Sequence, residues 1–437
     1  MKILVIGGGG REHALVWKIR QSPLVTKLYC APGNPGIGEI AHRVDIAALD
    51  IEGLAKFARL QKIDLTVVGP EQPLVAGIAD AFETLGLPIF GPTALAARIE
   101  GSKVFAKKFM QKFGIPTAEF RCFGSDQKFE AARYISEIPA PLVIKADGLA
   151  SGKGVTVCDT HEEALEMLDS MIDKHLFGAA GSNVVIEECL VGEEASVLAI
   201  SDGMECVLLP PAQDHKRVLD NDQGKNTGGM GAFAPAPIVD EEMLERIRRE
   251  ILVPAILGMR EEHRPFRGCL YAGLMITETG PKVIEFNCRF GDPETQAIVP
   301  LIEDDLVELM MESAAGRISG RALKTKPAVA VCVVLASGGY PDPYETGMPI
   351  MGLDQAASES DVLIFHAGTQ NSKGQVVTAG GRVLGVTAVG SDRAPEQTLD
   401  RAYRAVRKIT FDGAYYRSDI GRKALDRLKQ IPKQEVE

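Results

Sequence analysis

The first ten residues restrict the fold more than any other stretch. Lys2 is followed by the unbroken apolar run Ile3-Leu4-Val5-Ile6 and then by Gly7-Gly8-Gly9-Gly10. A strand that is apolar on both faces suits a parallel sheet covered by helices on both sides. The glycines fall where the strand must turn into a helix, predicted from Arg11 to about Arg20. The pattern then recurs. A second strand ends near Cys30. A third, residues 65–68, ends in Gly69-Pro70-Glu71, and a helix at 76–85 and a short strand at 88–90 follow. This alternation predicts a doubly wound α/β unit over about the first 95 residues.

The remainder of the 437-residue chain is too long for one further core, since domains of roughly 100–200 residues imply two to four in all. A helix at 102–113 stops at Gly114-Ile115-Pro116. Helices at 126–137 and 161–174 and strands at 142–144, 184–188 and 195–200 come next. A long helix at 240–257 carries Pro254 near its end. Segments 268–276 and 282–286 read as a hairpin around Thr279-Gly280-Pro281. Helix 304–316 closes this block. The lysine- and glycine-containing stretch 317–326 marks a boundary before a last unit, with strands at 328–335, 362–366 and 383–389 and a helix at 394–408.

Charge and composition exclude several classes. The net charge of -11, with no basic block, argues against a nucleic-acid partner. The eight cysteines form no CxxC pair, which points to free thiols in a reducing cytoplasm. No run of 18 apolar residues predicts a membrane span, and the N-terminus does not read as a cleaved signal.

Three polar segments carry chemistry. Gly7–Gly10, Arg11, Glu12 and His13 sit between a strand and a helix, where backbone N–H groups can hold a phosphate. A plain structural turn and a dinucleotide site compete with that reading. The dinucleotide site lacks its acidic residue about 20 positions on, where Cys30-Ala31-Pro32-Gly33 stands. Lys145 to Val155 places Gly148, Ser151, Gly152 and Gly154 between or beside Lys145 and Lys153. It is not a P-loop, but such a loop can cover a polyphosphate, with Lys145 at the strand end meeting the phosphates. The competing reading is an exposed turn. In Ile284 to Glu294, Glu285 and Asn287 share one strand face, as does Arg289 if the strand continues. A carboxylate and an amide are hard oxygen ligands suited to magnesium. Glu278 is the nearby acid to weigh as a further ligand.

Six segments in order resemble the ATP-grasp superfamily and, within it, the phosphoribosylamine–glycine ligase (glycinamide ribonucleotide synthetase) family. They are Gly7–His13, Pro32-Gly33-Asn34-Pro35-Gly36, Gly69-Pro70-Glu71-Gln72-Pro73-Leu74, Gln213-Asp214-His215-Lys216-Arg217, Asn226-Thr227-Gly228-Gly229-Met230-Gly231 and Asn287 to Glu294. The resemblance implies a multidomain α/β and α+β chain. A Rossmann-like parallel-sheet domain at 1–101 would bind substrate. A two-lobed ATP-grasp module would span 102–324, with a flexible lid subdomain at about 120–190, and a small mixed α/β domain 325–437.

The same resemblance implies site residues. Lys103 and Lys145 would contact the ATP phosphates under a lid formed by Lys145–Gly154, with Gly148, Ser151, Gly152, Lys153 and Gly154 binding nucleotide. Glu187 and Glu188 would meet adenine, and Glu193 the ribose. Glu285 and Asn287 would hold magnesium or manganese. Gly9, Gly10, Arg11, Glu12, Gly33, Asn34, Pro35, Gly36, Asn226, Thr227, Gly228, Gly229, Arg289 and Asp292 would bind substrate. Arg289 is expected to orient the glycine carboxylate and phosphoryl oxygens, and the alternative for it is an ion pair with Asp292 or Glu294. Asp214 and Lys216 are expected to contact a phosphate or the transferred phosphoryl group, against an exposed charged turn. The implied reaction joins glycine to 5-phosphoribosylamine with ATP, through glycyl phosphate, in a cytoplasmic monomer or homodimer. Another ATP-grasp ligase or carboxylase of purine synthesis is the nearest alternative. An NAD-dependent oxidoreductase and a non-catalytic nucleotide sensor are the others.

Overall fold

The computed structural model describes residues 1–149, 154–173, 176, 183–318, 320 and 322–430. The chain opens with a five-stranded parallel sheet in the order β3-β2-β1-β4-β5. Its strands are β1 (Lys2–Gly7), β2 (Lys27–Pro32), β3 (His42–Arg43), β4 (Leu65–Val68) and β5 (Ile89–Phe90). Helices α1 (Gly10–Ile19), α2 (Pro35–Ile40), α3 (Ile51–Gln61), α4 (Glu71–Val75) and α5 (Ile78–Thr84) connect them. Ile3 to Ile6 are fully buried, as their unbroken apolar pattern requires. The predicted helix 76–85 is α5, preceded by the short α4, and the two are separated at Gly77, whose φ of 89° only glycine adopts freely.

Helices α6 (Ala94–Gly101) and α7 (Lys103–Lys112) lead into the middle of the chain. There β6 (Phe120–Gly124), β7 (Leu142–Ala146), β8 (Val155–Cys158) and β9 (Asn183–Glu188) form an antiparallel sheet in the order β6-β9-β7-β8. It packs on α8 (Lys128–Glu137) and α9 (His161–Ile172) around a separate core that includes Ile135, Ile144, Leu168 and Ile186. A second antiparallel sheet, β11-β10-β16-β17, is made of β10 (Glu193–Asp202), β11 (Cys206–Leu208), β16 (Arg267–Thr277) and β17 (Gly280–Asn287). The two sheets face a cleft that α7 closes at one side. The predicted long helix runs through α10 (Glu241–Ile247), a π-helical turn at Arg248–Leu252, and α11 (Val253–Glu261). Pro254 has no N–H to donate, and the wider turn just before it relieves the ladder it would break.

The last sheet does not respect the boundary expected at 324/325. Its order is β12-β15-β18-β22-β19. β18 (Ala328–Ala336), β19 (Val362–His366) and β22 (Arg382–Ser391) come from the C-terminal region, but β12 (Gln213–Asp214) and β15 (Gly231–Ala234) come from the middle of the chain. β15 pairs antiparallel with β18, Ala232 opposite Cys332. The stretch between β12 and β15, including β13 (Arg217–Leu219) and β14 (Gln223–Asn226), is therefore held at the junction of three units. The helices α12 (Glu294–Ile298), α13 (Leu306–Ala314), α14 (Leu353–Ala357), α15 (Pro395–Val406) and α16 (Arg422–Gln430) complete the described body.

Buried histidines fasten these units. The His366 N–H donates to His13 Nδ1 at 2.8 Å, joining the C-terminal region to α1. His215 lies between β15 and the start of α16, contacting Gly231 O and Gly421 N at 3.3 Å each. Burial lowers the pKa of His13 to about 3, of His215 to about 4 and of His366 to about 4. The unfolded chain protonates them near 6.5, so between about pH 6.5 and 4 it binds more protons than the folded chain, and stability falls as pH falls through that window. In urea titrations at pH 5 to 6, the pH slope of the unfolding free energy in His215→Gln is expected to be about 1.4 kcal/mol per pH unit smaller than in the parent. An unchanged slope would show that His215 is not the buried neutral base it is here.

Candidate active site

Glu285 lies at the centre of the cleft. Across the β16–β17 ladder it faces Gly273, and Asn287 faces Tyr271. The two-residue period directs carboxylate and amide to one side. Gly273 leaves room for the acid, since a Cβ there would lie 3.2 Å from Glu285 Cγ. Burial alone would raise the Glu285 pKa, but Lys216, Lys145, Lys103 and Arg289 together hold it below the ordinary carboxylate value. It is thus an anion among four cations. Asn287 is buried beside it, and no hydrogen bond among the described residues occupies its amide. Glu278, the other acid weighed for a metal, is exposed on the hairpin turn. Among the described residues no three His, Cys, Asp or Glu side chains cluster as a metal site, so the oxygen set available for a cation is one carboxylate and one amide.

The lysines arrive from separate elements. Ser102 caps α7 by accepting the Phe105 N–H at 3.1 Å, and its hydroxyl donates to Asp147 Oδ1 at 2.9 Å. Asp147 thereby docks the glycine loop after β7 onto the start of α7. Lys103, the first residue of that helix, donates to Gly148 O at 2.9 Å, and burial lowers its pKa. Lys145 donates to Ile284 O at 3.0 Å and sits 2.5 Å from Glu187 Oε1. Lys107, one helical turn after Lys103, pairs with the other oxygen of Glu187, and burial outweighs that partner to lower its pKa to about 8. Gly154 O accepts the Ala146 N–H at 2.8 Å. Ser151, Gly152 and Lys153 lie outside the described residues.

Several residues expected at the nucleotide or the substrate have partners within the protein. The Glu187 side chain, expected at adenine, meets Lys145 and Lys107. It is buried between two ammonium groups, because burying charges without a counter-ion costs several kcal/mol per ion. Glu188 accepts the Glu119 N–H at 3.1 Å and Lys282 Nζ at 3.0 Å. The expected ribose acid, Glu193, is paired with Arg427 of α16 at 2.9 Å. Arg289 pairs with neither Asp292 nor Glu294. Its Nε donates to Glu71 at 3.2 Å, a terminal nitrogen lies 3.0 Å from Glu100, and the other donates to Phe290 O at 3.3 Å. Each of its three nitrogens thus has a partner within the protein.

The glycine-rich start is likewise bonded within the protein. Gly9 N–H donates to Glu12 Oε2 at 2.6 Å and Arg11 N–H to Asp292 Oδ2 at 3.2 Å. The N-terminus of α1 therefore holds the protein's own carboxylates where a phosphate was expected. Glu12 is buried between strand ends, and a Cβ at Gly69 would lie 2.1 Å from its carboxylate. Arg11 turns inward to Gly69 O at 2.6 Å. Asn34 Nδ2 donates to Gly8 O at 2.9 Å and His366 O at 2.7 Å, while its Oδ1 caps α2 through the Ile37 N–H. A Cβ on Gly36 would come within 2.4 Å of His13, so Gly33, Asn34, Pro35 and Gly36 form a fastening between domains.

The other wall of the cleft comes from β12 to β15. Asp214 is half-buried with its Oδ1 enclosed and unpartnered, and burial together with the Glu294 carboxylate raises its pKa well above the ordinary value. Glu294 accepts hydroxyls from Ser196 and Tyr271 at 2.9 Å each. Lys216 lies 2.9 Å from Glu194. Burial opposes its charge, but Glu194, Tyr271, Glu285 and Asp214 raise its pKa. Thr227 Oγ1 donates to Lys216 O at 2.8 Å and accepts the Gly229 N–H at 3.0 Å, which folds the segment after the exposed Asn226 back toward Lys216. Sequence reasoning missed Lys107, Glu71, Glu100 and Arg382 as parts of the site. Lys107 was available as the i+4 partner of Lys103 on one helix face. The others meet the site only through long-range packing.

Comparison with known proteins agrees with this architecture. Family models described as the phosphoribosylglycinamide synthetase N domain, ATP-grasp (A) domain and C domain match residues 1–100, 101–295 and 330–423. A phosphoribosylamine–glycine ligase of Rhodopirellula baltica is 50% identical over 430 residues, covering 97% of this chain and 98% of that protein. The crystal structure of a phosphoribosylamine–glycine ligase from Thermotoga maritima superposes with a TM-score of 0.82 at 34% identity, over 96% of this chain and 100% of that one. The biotin carboxylase domain of Hydrogenobacter thermophilus 2-oxoglutarate carboxylase, solved with magnesium ADP and bicarbonate, shares the fold at 17% identity, with a TM-score of 0.72 over 95% of this chain and 91% of that one.

Glu187→Gln keeps the shape of the side chain and removes the charge between Lys107 and Lys145. Unfolding in urea is expected to show a loss of about 3–5 kcal/mol, with a raised KM for ATP. Unchanged stability would mean that the two lysines are balanced elsewhere.

Proposed function

The chain belongs to the phosphoribosylglycinamide synthetase (phosphoribosylamine–glycine ligase) family, and we propose that it joins glycine to 5-phosphoribosylamine with ATP. The products are glycinamide ribonucleotide, ADP and phosphate, in the second step of de novo purine synthesis. The observation that carries this reading is Glu285 ionised among Lys103, Lys145, Lys216 and Arg289. A cleft of that charge suits a polyphosphate, and its one carboxylate and one amide, Glu285 and Asn287, are the hard oxygen donors that magnesium or manganese takes. A divalent ion held by Glu285 and Asn287 would supply neutralisation of the phosphate charge.

The residues of the chain then divide the work. Lys103 and Lys145 meet the nucleotide phosphates, and the ion pair with Glu187 holds the Lys145 ammonium in place. A glycine carboxylate oxygen attacks the γ-phosphorus, the bond from that phosphorus to the ADP oxygen breaks, and glycyl phosphate forms. The amine of phosphoribosylamine attacks the acyl carbon, the carbon–oxygen bond to phosphate breaks, and the amine nitrogen loses a proton. Neither step needs an enzyme nucleophile. Lys216 stabilises the transferred phosphoryl oxygens, and Arg289 adds fixed positive charge from behind. Gly228 and Gly229, with Asn226 and Thr227, form the substrate loop at the opposite wall.

Among the described residues no helix is long and apolar enough to cross a membrane, and the substrates are small molecules. ADP formation by the purified chain should require glycine and phosphoribosylamine together, and a chelator should abolish it, with magnesium or manganese restoring it. ADP release that ignores glycine would sink the assignment. Glu285→Ala should lower kcat by about 100-fold or more, the scale of losing one electrostatic stabiliser, while the thermal midpoint shifts little. Equal loss of folding and turnover would return Glu285 to a structural role.

A further inference from the structure

If the expected phosphate seat at the start of α1 is filled by Glu12 and Asp292, the phosphate of a phosphorylated ribosyl substrate needs another receptor in the same cleft. Resting on the reading above, we propose that Arg382, on β22 of the C-terminal region, binds that phosphate monoester through the Nε and Nη2 edge of its guanidinium.

The geometry separates the two edges of this side chain. Nη1 is spent on the protein. It donates to Asp292 O at 2.7 Å and to Gly228 O, lies 3.4 Å from Gly229 O, and is 3.5 Å from Asp292 Oδ1. These contacts tie the substrate loop to the Asp292 turn and fix the plane of the guanidinium. Nε and Nη2 make no hydrogen bond among the described residues, and the side chain is 21% exposed, so this edge is reachable. Gly228 lies flat against the group, where a Cβ would come within 2.9 Å of Cζ and 3.0 Å of Nη2. The Tyr340 hydroxyl holds that glycine by accepting its N–H at 2.9 Å. Two parallel N–H donors on a plane fixed from the opposite edge are the geometry that takes two oxygens of a phosphate.

The surrounding charge leaves that edge available. Asp292 is shared with the Arg11 N–H and with Gln296 Nε2 at 2.8 Å. Burial and the Glu294 carboxylate disfavour the charged form of Asp214, the next acid. Two other cations of the cleft already have carboxylate partners: Lys216 has Glu194, and Arg289 has Glu71 and Glu100. Arg382 is also the cation that joins the substrate loop to the C-terminal sheet. A phosphate on its free edge would therefore place the ribosyl amine by the loop that carries Gly228 and Gly229, facing the Glu285 side of the cleft.

The test compares phosphorylated and unphosphorylated ligands on the full chain. Binding of ribose 5-phosphate against ribose, and of glycinamide ribonucleotide against its dephosphorylated nucleoside, is measured by calorimetry for the parent, Arg382→Lys and Arg382→Gln. The glutamine amide can still donate to the loop carbonyls, so that variant guards against simple loss of fold. The parent should prefer the phosphorylated member of each pair. Both variants should lose about 10-fold or more of that preference, as expected for a lost charge-assisted pair, with binding of the unphosphorylated ligands and the KM for ATP changed less than about threefold. Equal weakening of both members of a pair would make Arg382 a loop anchor alone and overturn the proposal, as would an unchanged preference. If the parent makes no glycinamide ribonucleotide but the ribose 5-phosphate preference still depends on Arg382, the phosphate site stands and the reaction assignment falls.

Discussion

Charge balance under burial governs this cleft. Four cations converge on Glu285, and a fifth, Lys107, lies behind them. Ammonium and guanidinium groups cannot be taken from water without counter-charge. The chain meets this need by giving most of them a carboxylate from a distant segment: Glu187 for Lys107 and Lys145, Glu194 for Lys216, and Glu71 and Glu100 for Arg289. These pairs fix where α7, β7, β9, β12 and β17 sit relative to one another. The positive field that remains is aimed at the space in front of Glu285, where polyphosphate and metal chemistry is expected.

The same economy of charge explains the start of the chain. A glycine-rich strand-to-helix turn offers unpaired N–H groups, and in an isolated βα unit these would attract an anion. Here Glu12 and Asp292 reach them first. The topological switch point between β1 and β4 is consequently filled by the buried Arg11 and Glu12 side chains. The turn that looked like a ligand site became the place where three parts of the chain are joined, with Asn34 and His13 bonding His366 across the junction.

Much of this was legible in advance for local reasons. The apolar run at Ile3–Ile6 fixed the buried parallel strand, and the alternation of Ile284 to Asn287 put Glu285 and Asn287 on one face, because side-chain direction along a strand has a period of two. The ordered motifs carried the family. Hidden from the sequence were side-chain partners that lie far away along the chain. Glu187, Glu193 and Arg289 were read as ligand contacts, yet they are paired with Lys145 and Lys107, with Arg427, and with Glu71 and Glu100. Nothing local distinguishes a free carboxylate from one already neutralised.

The sequence by itself determined the strand and helix periodicities, the glycines that permit close approach, and the identity of the metal- and phosphate-type side chains, since each depends on residues a few positions apart. Only the tertiary structure decided which of those charges stay free. That depends on contacts such as Arg11 with Asp292 and Arg382 with Gly228, separated by 281 and 154 positions, and on the desolvation that makes each buried charge take a partner. It also decided that β12 and β15 belong to the C-terminal sheet, because a sheet is closed by whichever strand edges folding brings together.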